Sequence, residues 1–211
     1  LGDLFDFWFE YRYVILHHHF DVLRLLAQLT ERGIALHYVP GNHDFWLGEF
    51  MKETLGFELH TSPCVVELDG LHVELCHGDG LNKKDVGYRF YQKIAKSRIA
   101  RKAFSIIHPD VAARIAVTVS STSRRLVNRR EHERRSEVCA IEAYARQRLE
   151  TGDIDALVAG HAHMPVLEKV DAGGREKVYA NAGDWLTHFS YVELKDGVFA
   201  LKTFTTESRS G

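Results

Sequence analysis

Apolar residues recur at helical spacing over 21–32, where Val22, Leu23, Leu25, Leu26 and Leu29 form one stripe. Gly33 stands where a helix C-cap is expected. Ile34–Val39 reads as a buried strand ending at Pro40-Gly41, and a further helix is predicted over about 46–55. Two β-rich runs, Cys64–Leu68 and Leu71–Cys76, flank Asp69-Gly70, the dipeptide of a tight hairpin. From residue 81 the strand signals vanish. Helical spacing runs through Tyr88–Ile107, Val111–Val127 and Val138–Leu149, with Pro109 between the first two. Strand patterning returns at Ile154–Ala159, Pro165–Val170, Lys177–Asn181, Ser190–Leu194 and Val198–Thr205, turned by Gly173-Gly174 and Asp196-Gly197. Glu207–Gly211 reads as a frayed tail. The pattern divides the chain into a first α/β segment (1–80), a helical insertion (81–150) and a second α/β segment (151–211).

Charge sharpens that division. The net charge of −2 over 211 residues predicts no particular partner. Between Lys83 and Arg135, however, 15 Lys and Arg stand against 4 Asp and Glu, so this region carries +11 and the remainder −13. The insertion is a basic helical cap on an acidic scaffold, and that compensation argues against nucleic-acid binding. Apolar residues make up 45%, which excludes wholesale disorder, and no run approaches the roughly 18 apolar residues of a membrane span. Cys64, Cys76 and Cys139 are odd in number and form no CxxC, which suits incidental thiols in a reducing compartment.

Four segments share one design, in which an apolar run leads straight into a loop of metal-type side chains. They are Leu1-Gly2-Asp3-Leu4-Phe5-Asp6, Val39-Pro40-Gly41-Asn42-His43-Asp44, Leu75-Cys76-His77-Gly78-Asp79 and Val158-Ala159-Gly160-His161-Ala162-His163. Ligands collect at the carboxyl ends of strands in open α/β folds, so these loops are expected to converge. Asp, Asn and His together form an N/O ligand set that suits Mn, Fe, Zn or Ni better than an all-oxygen calcium cage.

In this order and spacing the segments resemble the calcineurin-like metallophosphoesterase superfamily, whose signature runs D-x-H, G-D, G-N-H-D/E, a later histidine and G-H-x-H. The resemblance implies an α/β fold of four layers, α/β/β/α, with a helical insertion cap. It also implies a two-metal hydrolase. Two cations about 3.5–4 Å apart clamp a phosphate and neutralise the charge that develops on in-line displacement. By carry-over, Asp3 bridges both ions, Asn42, His77 and His161 hold one, and His163 holds the other. His43 is placed to hydrogen-bond the phosphate or protonate the leaving oxygen. Asp44 either orients His43 or caps the helix predicted after it. No D-x-H precedes Asp3. Gly2-Asp3 already reads as a strand end and the chain opens at Leu1 rather than Met, so an opening strand carrying two further ligands is expected ahead of it. His17-His18-His19 lies after the G-D loop and reads as a polar cluster lining a groove, or as a phosphate contact.

Within the superfamily, Gly2-Asp3-Leu4-Phe5-Asp6-Phe7-Trp8, Gly41-Asn42-His43-Asp44-Phe45-Trp46 and Asn181-Ala182-Gly183-Asp184-Trp185 look like the UDP-2,3-diacylglucosamine pyrophosphatase family, as does the basic insertion. Some members carry Arg in place of His43. The resemblance implies hydrolysis of UDP-2,3-diacylglucosamine to lipid X and UMP in lipid A synthesis. It implies two divalent ions, manganese in the family, with Fe or Zn compatible with the same ligands. It further implies a cytoplasmic enzyme peripheral to the inner membrane. The insertion agrees with a nucleotide-lipid substrate. Tyr88, Phe90, Tyr91, Ile94, Phe104 and Ile107 lie beside Lys83, Lys84, Arg89, Lys93 and Arg98, which are the candidate substrate contacts. Such basic amphipathic helices read as membrane-surface elements, and the competing reading is a plain structural cap. Arg124, Arg125, Arg129 and Arg130 suit either phosphate or solvent. Trp8, Phe45, Trp46 and Trp185 read as core anchors, and Asn181 and Asp184 as turn formers. The rivals are a phosphodiesterase of soluble substrates and a non-catalytic binding module on the same fold.

Overall fold

The computed structural model describes residues 1–115, 118 and 131–205. A 3-10 turn at His17–His19 leads into α1 (Phe20–Glu31), whose Leu23, Leu26 and Ala27 pack on β1 (Leu36–Tyr38) and β2 (Phe57–Leu59). These two strands pair in parallel. β1 is shorter than the 34–39 run, because Gly33 and Ile34 are spent closing α1 onto Thr30 and Leu29. The helix predicted over 46–55 is a correction. Only one π-helical turn forms, at Phe50–Thr54. The distant Glu10 carboxylate takes the N–H groups of Gly48, Phe50 and Met51, holding the start of that single turn.

β3 (Cys64–Leu68) and β4 (Leu71–Cys76) form the hairpin, with Asp69 and Gly70 both at positive φ as the tight turn demands. In the insertion, the helix predicted over 88–107 is two helices, a second correction. α2 (Val86–Ala95) is capped by Asp85, and α3 (Arg98–Phe104) by Ser97, whose Oγ accepts the Ala100 N–H at 3.1 Å. Ser97 competes for backbone donors and restarts the helix. A helical segment follows over 109–115. The rest of the predicted 111–127 helix, Arg124, Arg125, Arg129 and Arg130 included, lies outside the described residues, as does the 207–211 tail.

α4 (Glu131–Thr151) returns the chain to the sheet through β5 (Ala156–Ala159), β6 (Val166–Ala172), β7 (Arg175–Asn181), β8 (Ser190–Lys195) and β9 (Val198–Thr203). The five-stranded sheet runs β3-β4-β5-β7-β6. β5 is parallel to both neighbours and buried along its whole length, as a central parallel strand must be. Ile141, Ala145 and Leu149 of α4, four residues apart, close one face against Leu157 and Tyr179. Val192, Leu194 and Phe199 of the β8–β9 ribbon close the other against Val73, Ala156 and Val158. The fold is thus a mixed α/β sandwich with a helical insertion between β4 and β5.

Candidate metal centre and substrate cavity

Cys76, Ala159 and Asn181 stand opposite one another across β4, β5 and β7. His77, Gly160-His161 and Ala182-Gly183 therefore leave the sheet side by side, at the carboxyl ends of parallel strands. The Asn181 amide ties two of these loops by donating to the Gly160 carbonyl at 2.9 Å. The loop after β1 adds Asn42, His43 and Asp44, and the first loop adds Asp3.

Asp3, His77 and His161 offer donor atoms that all lie within 4.8 Å of one another. His77 is almost wholly buried. Its Nδ1 stands 2.7 Å from the Leu1 carbonyl, which can only accept, so Nδ1 bears a proton and Nε2 faces the cluster. That Nε2 is 3.2 Å from Asp3 Oδ2 and 3.1 Å from Asn42 Oδ1. A backbone acceptor behind a ring is how a ligating imidazole is commonly oriented. Burial pulls the His77 pKa down, but the Asp3 hydrogen bond and charge outweigh it and the pKa is raised. Burial acts upward on Asp3, and His77 with His43 overrules it, holding the carboxyl well below the carboxylate range. Burial, then the charge of His77, lowers His161 to about 4. An ionised carboxylate, a neutral imidazole, a carboxamide and a second imidazole that shares a proton with the carboxylate thus converge on one spot. A divalent transition-metal ion fits this donor set and would take that proton's place.

The backbone carries the cost of this convergence. Asp3, His161 and His163 all have positive φ, at 55°, 62° and 52°. Such strain persists where surrounding structure fixes it, typically at ligand sites. A Cβ on Gly41 would overlap the Asp3 carboxylate, and one on Gly2 would overlap Gly41, so the two loops meet only as glycines.

The remaining site residues are placed as follows. His43 lines the cavity beside the cluster, and its backbone N–H donates to Asp3 Oδ1 at 2.9 Å. His163 lines the same cavity outside the three-residue cluster. Asp44 is fully buried, and its oxygens take the N–H groups of Leu4 and Gly41 (each 2.9 Å) and the Tyr38 hydroxyl. It clamps the Asp3 loop to the Asn42 loop, in place of the expected bond to His43 or helix cap. Asp79 is held by Gln92 and by Lys96 (3.2 Å), docking α2 on the His77 loop. Lys83, Lys84, Arg89, Lys93 and Arg98 are exposed and none of them lines the cavity. Trp8 is a core anchor, whereas Trp185 is 56% exposed at the cavity mouth. His19 is buried against the Phe5 and Trp8 rings, and both His18 and His19 line the cavity.

Sequence reasoning missed Tyr38 and Lys96. Tyr38 had a weak signal, the alternation that buries it four residues before Asn42. Lys96 had none, since only the docking of α2 brings it to Asp79 and within 5.7 Å of the Phe45 ring.

The cavity holds about 850 Å³. Asp3, His43, His77, His161 and His163 form its polar floor, and Leu4, Phe5, Leu16, Val22, Trp185 and Leu186 form an apolar wall. Ala113 of the insertion reaches the same space.

The family model for calcineurin-like phosphoesterases matches residues 1–165. The chain is 30% identical over 205 residues to the UDP-2,3-diacylglucosamine hydrolase of Porphyromonas gingivalis, covering 90% of this chain and 77% of that protein. It is 29% identical over 198 residues to the protein of the same name from Aeromonas hydrophila, covering 93% and 80%. Against that of Stenotrophomonas maltophilia K279a it is 28% identical over 193 residues, covering 86% and 75%.

Proposed function

The chain belongs to the calcineurin-like phosphoesterase family, and from that premise we propose that it hydrolyses the phosphoanhydride of UDP-2,3-diacylglucosamine to lipid X and UMP. The similarity to hydrolases of that name supports the substrate. The observation that carries the reading is the cavity itself, which joins a carboxylate–imidazole floor to an apolar wall. A pyrophosphate with two acyl chains needs both.

On this reading Asp3, Asn42, His77 and His161 would hold one ion, manganese by preference, and Asp3 and His163 would contribute to holding a second. Bound divalent ions supply Lewis-acid polarisation of the phosphoryl oxygens. The residues of the chain do the rest. Leu1 fixes the His77 ring, so that Nε2 stays on the cluster. Asp44 and Tyr38 hold the two loops in register. His43, anchored through its N–H to Asp3, donates a proton or hydrogen bond to the leaving oxygen. The wall of Leu4, Phe5 and Leu186 excludes water and seats acyl carbons.

The insertion (81–150) acts as a cap that meets the inner membrane from the cytoplasmic side. On α2 and α3, Phe90, Tyr91, Ile94 and Ile99 are exposed beside Arg89, Lys93 and Arg98. Apolar side chains in a basic rim suit an anionic leaflet. No described helix is long and apolar enough to cross a membrane, which fits surface attachment.

The test is hydrolysis by the manganese-loaded chain of UDP-2,3-diacylglucosamine against a soluble aryl phosphodiester. A preference of about 100-fold or more in kcat/KM for the lipid is expected, on the order of 3 kcal/mol. Equal rates would overturn the substrate assignment.

A further inference from the structure

A second cluster of metal-type side chains lies away from the cavity. The parallel register of β1 and β2 sets His37 directly opposite Glu58. His60 follows two residues after Glu58, on the same face, and its N–H continues the ladder by donating to the Tyr38 carbonyl at 2.9 Å. The side chains converge. His37 Nδ1 is 3.0 Å from His60 Nε2 and 3.3 Å from Glu58 Oε2, and His60 Nε2 is 3.8 Å from Glu58 Oε1. Donors bound to one ion at about 2.0–2.2 Å stand roughly 3.0–3.6 Å apart. The first two spacings fall in that range, and the Glu58 side chain, 66% exposed, is free to close the third.

We propose that His37, Glu58 and His60 form a surface site for a late first-row divalent cation, with Zn2+ as its probe. Two imidazoles and one carboxylate are a zinc-type donor set, and solvent is at hand to complete a tetrahedron. The two ring nitrogens share a hydrogen bond at 3.0 Å, and a cation held by both rings would take the place of that proton. The two rings stack 21° from parallel and already share a hydrogen bond, so both nitrogens face one point. The ion would clip β1 to β2. These strands pair over only three residues, and β1 feeds the Asn42–His43 loop.

The experiment compares the full manganese-loaded chain with its His37→Gln and His60→Gln variants by equilibrium dialysis against Zn2+. Exchange at the catalytic centre is common to all three proteins, so the difference between them reads the new site. At about 1 μM free Zn2+, the wild type is expected to hold one more zinc per chain than either variant. Each variant is expected to bind that ion about tenfold or more weakly. Equal stoichiometry in all three proteins, or an extra ion only at millimolar metal, overturns the site. Where a variant melts early in chelator, imidazole NMR of the wild type answers instead. The His37 and His60 ring signals should move together as the extra zinc binds, and unmoved rings overturn the site.

Discussion

Asp184 shows how much one carboxylate can organise. It sits where β7 has ended, and one oxygen takes the N–H groups of Leu186, Thr187 and His188 while the other meets the His188 ring. Burial pushes its pKa up, but the His188 ring and those N–H groups win and hold it well below the carboxylate range. A depressed folded pKa contributes stability that is complete above the ordinary carboxylate pKa near 3.8 and is lost as pH falls through the folded value. The wild type should therefore lose this share below about pH 4. Asp184→Asn should be less stable by about 1–3 kcal/mol at pH 7 and should lack that acid-side loss. Urea denaturation at pH 7 and at pH 3 checks both. The turn-forming role was legible, because Asn181-Ala182-Gly183-Asp184 is turn chemistry. The His188 partnership was not, because two residues become partners only once the turn has closed.

At the scale of elements, the sheet is stitched by charges no local pattern reveals. Glu74 of β4 is 1% exposed, and it accepts from Arg148 Nε and Tyr144 Oη of α4, both at 2.7 Å. These contacts fasten the last helix of the insertion to the strand that precedes the insertion. Arg148→Ala leaves a buried carboxylate with one neutral partner, and because the arginine itself is a third exposed a loss of about 1–3 kcal/mol is expected by chemical denaturation. A change under about 1 kcal/mol would show that the carboxylate is rehydrated. Hairpins were legible element by element. Asp69-Gly70, Gly173-Gly174 and Asp196-Gly197 all adopt the positive φ values that their residue types favour. The 46–55 segment was not legible, because its backbone donors are satisfied by Glu10, 38 to 41 residues away.

For the whole molecule, the near-neutral net charge conceals a basic insertion on an acidic body. If the insertion meets an anionic leaflet, Lys93→Glu with Arg98→Glu should weaken binding to vesicles containing phosphatidylglycerol. Reversing two charges is worth on the order of 4 kcal/mol at low salt, and the difference should shrink as salt rises. Hydrolysis of a soluble phosphodiester should be unchanged, since neither residue lines the cavity. Vesicle sedimentation with a parallel activity assay reads both, and equal sedimentation would return the insertion to a purely structural cap.

The sequence by itself determined most of the strands, the tight turns, the charge division and which loops carry metal-type side chains. These depend on periodicity, turn chemistry and residue type, all of which are local. Only the tertiary structure decided which of those loops meet. The register Cys76–Ala159–Asn181 brings His77 and His161 together across 84 residues of chain. The same packing turned Asp44 into a clamp, left five basic residues of the cap exposed and outside the cavity lining, and set His37 against Glu58 and His60. Such contacts are fixed by sheet register and helix docking, which are energies of the assembled chain and have no counterpart in any short stretch of it.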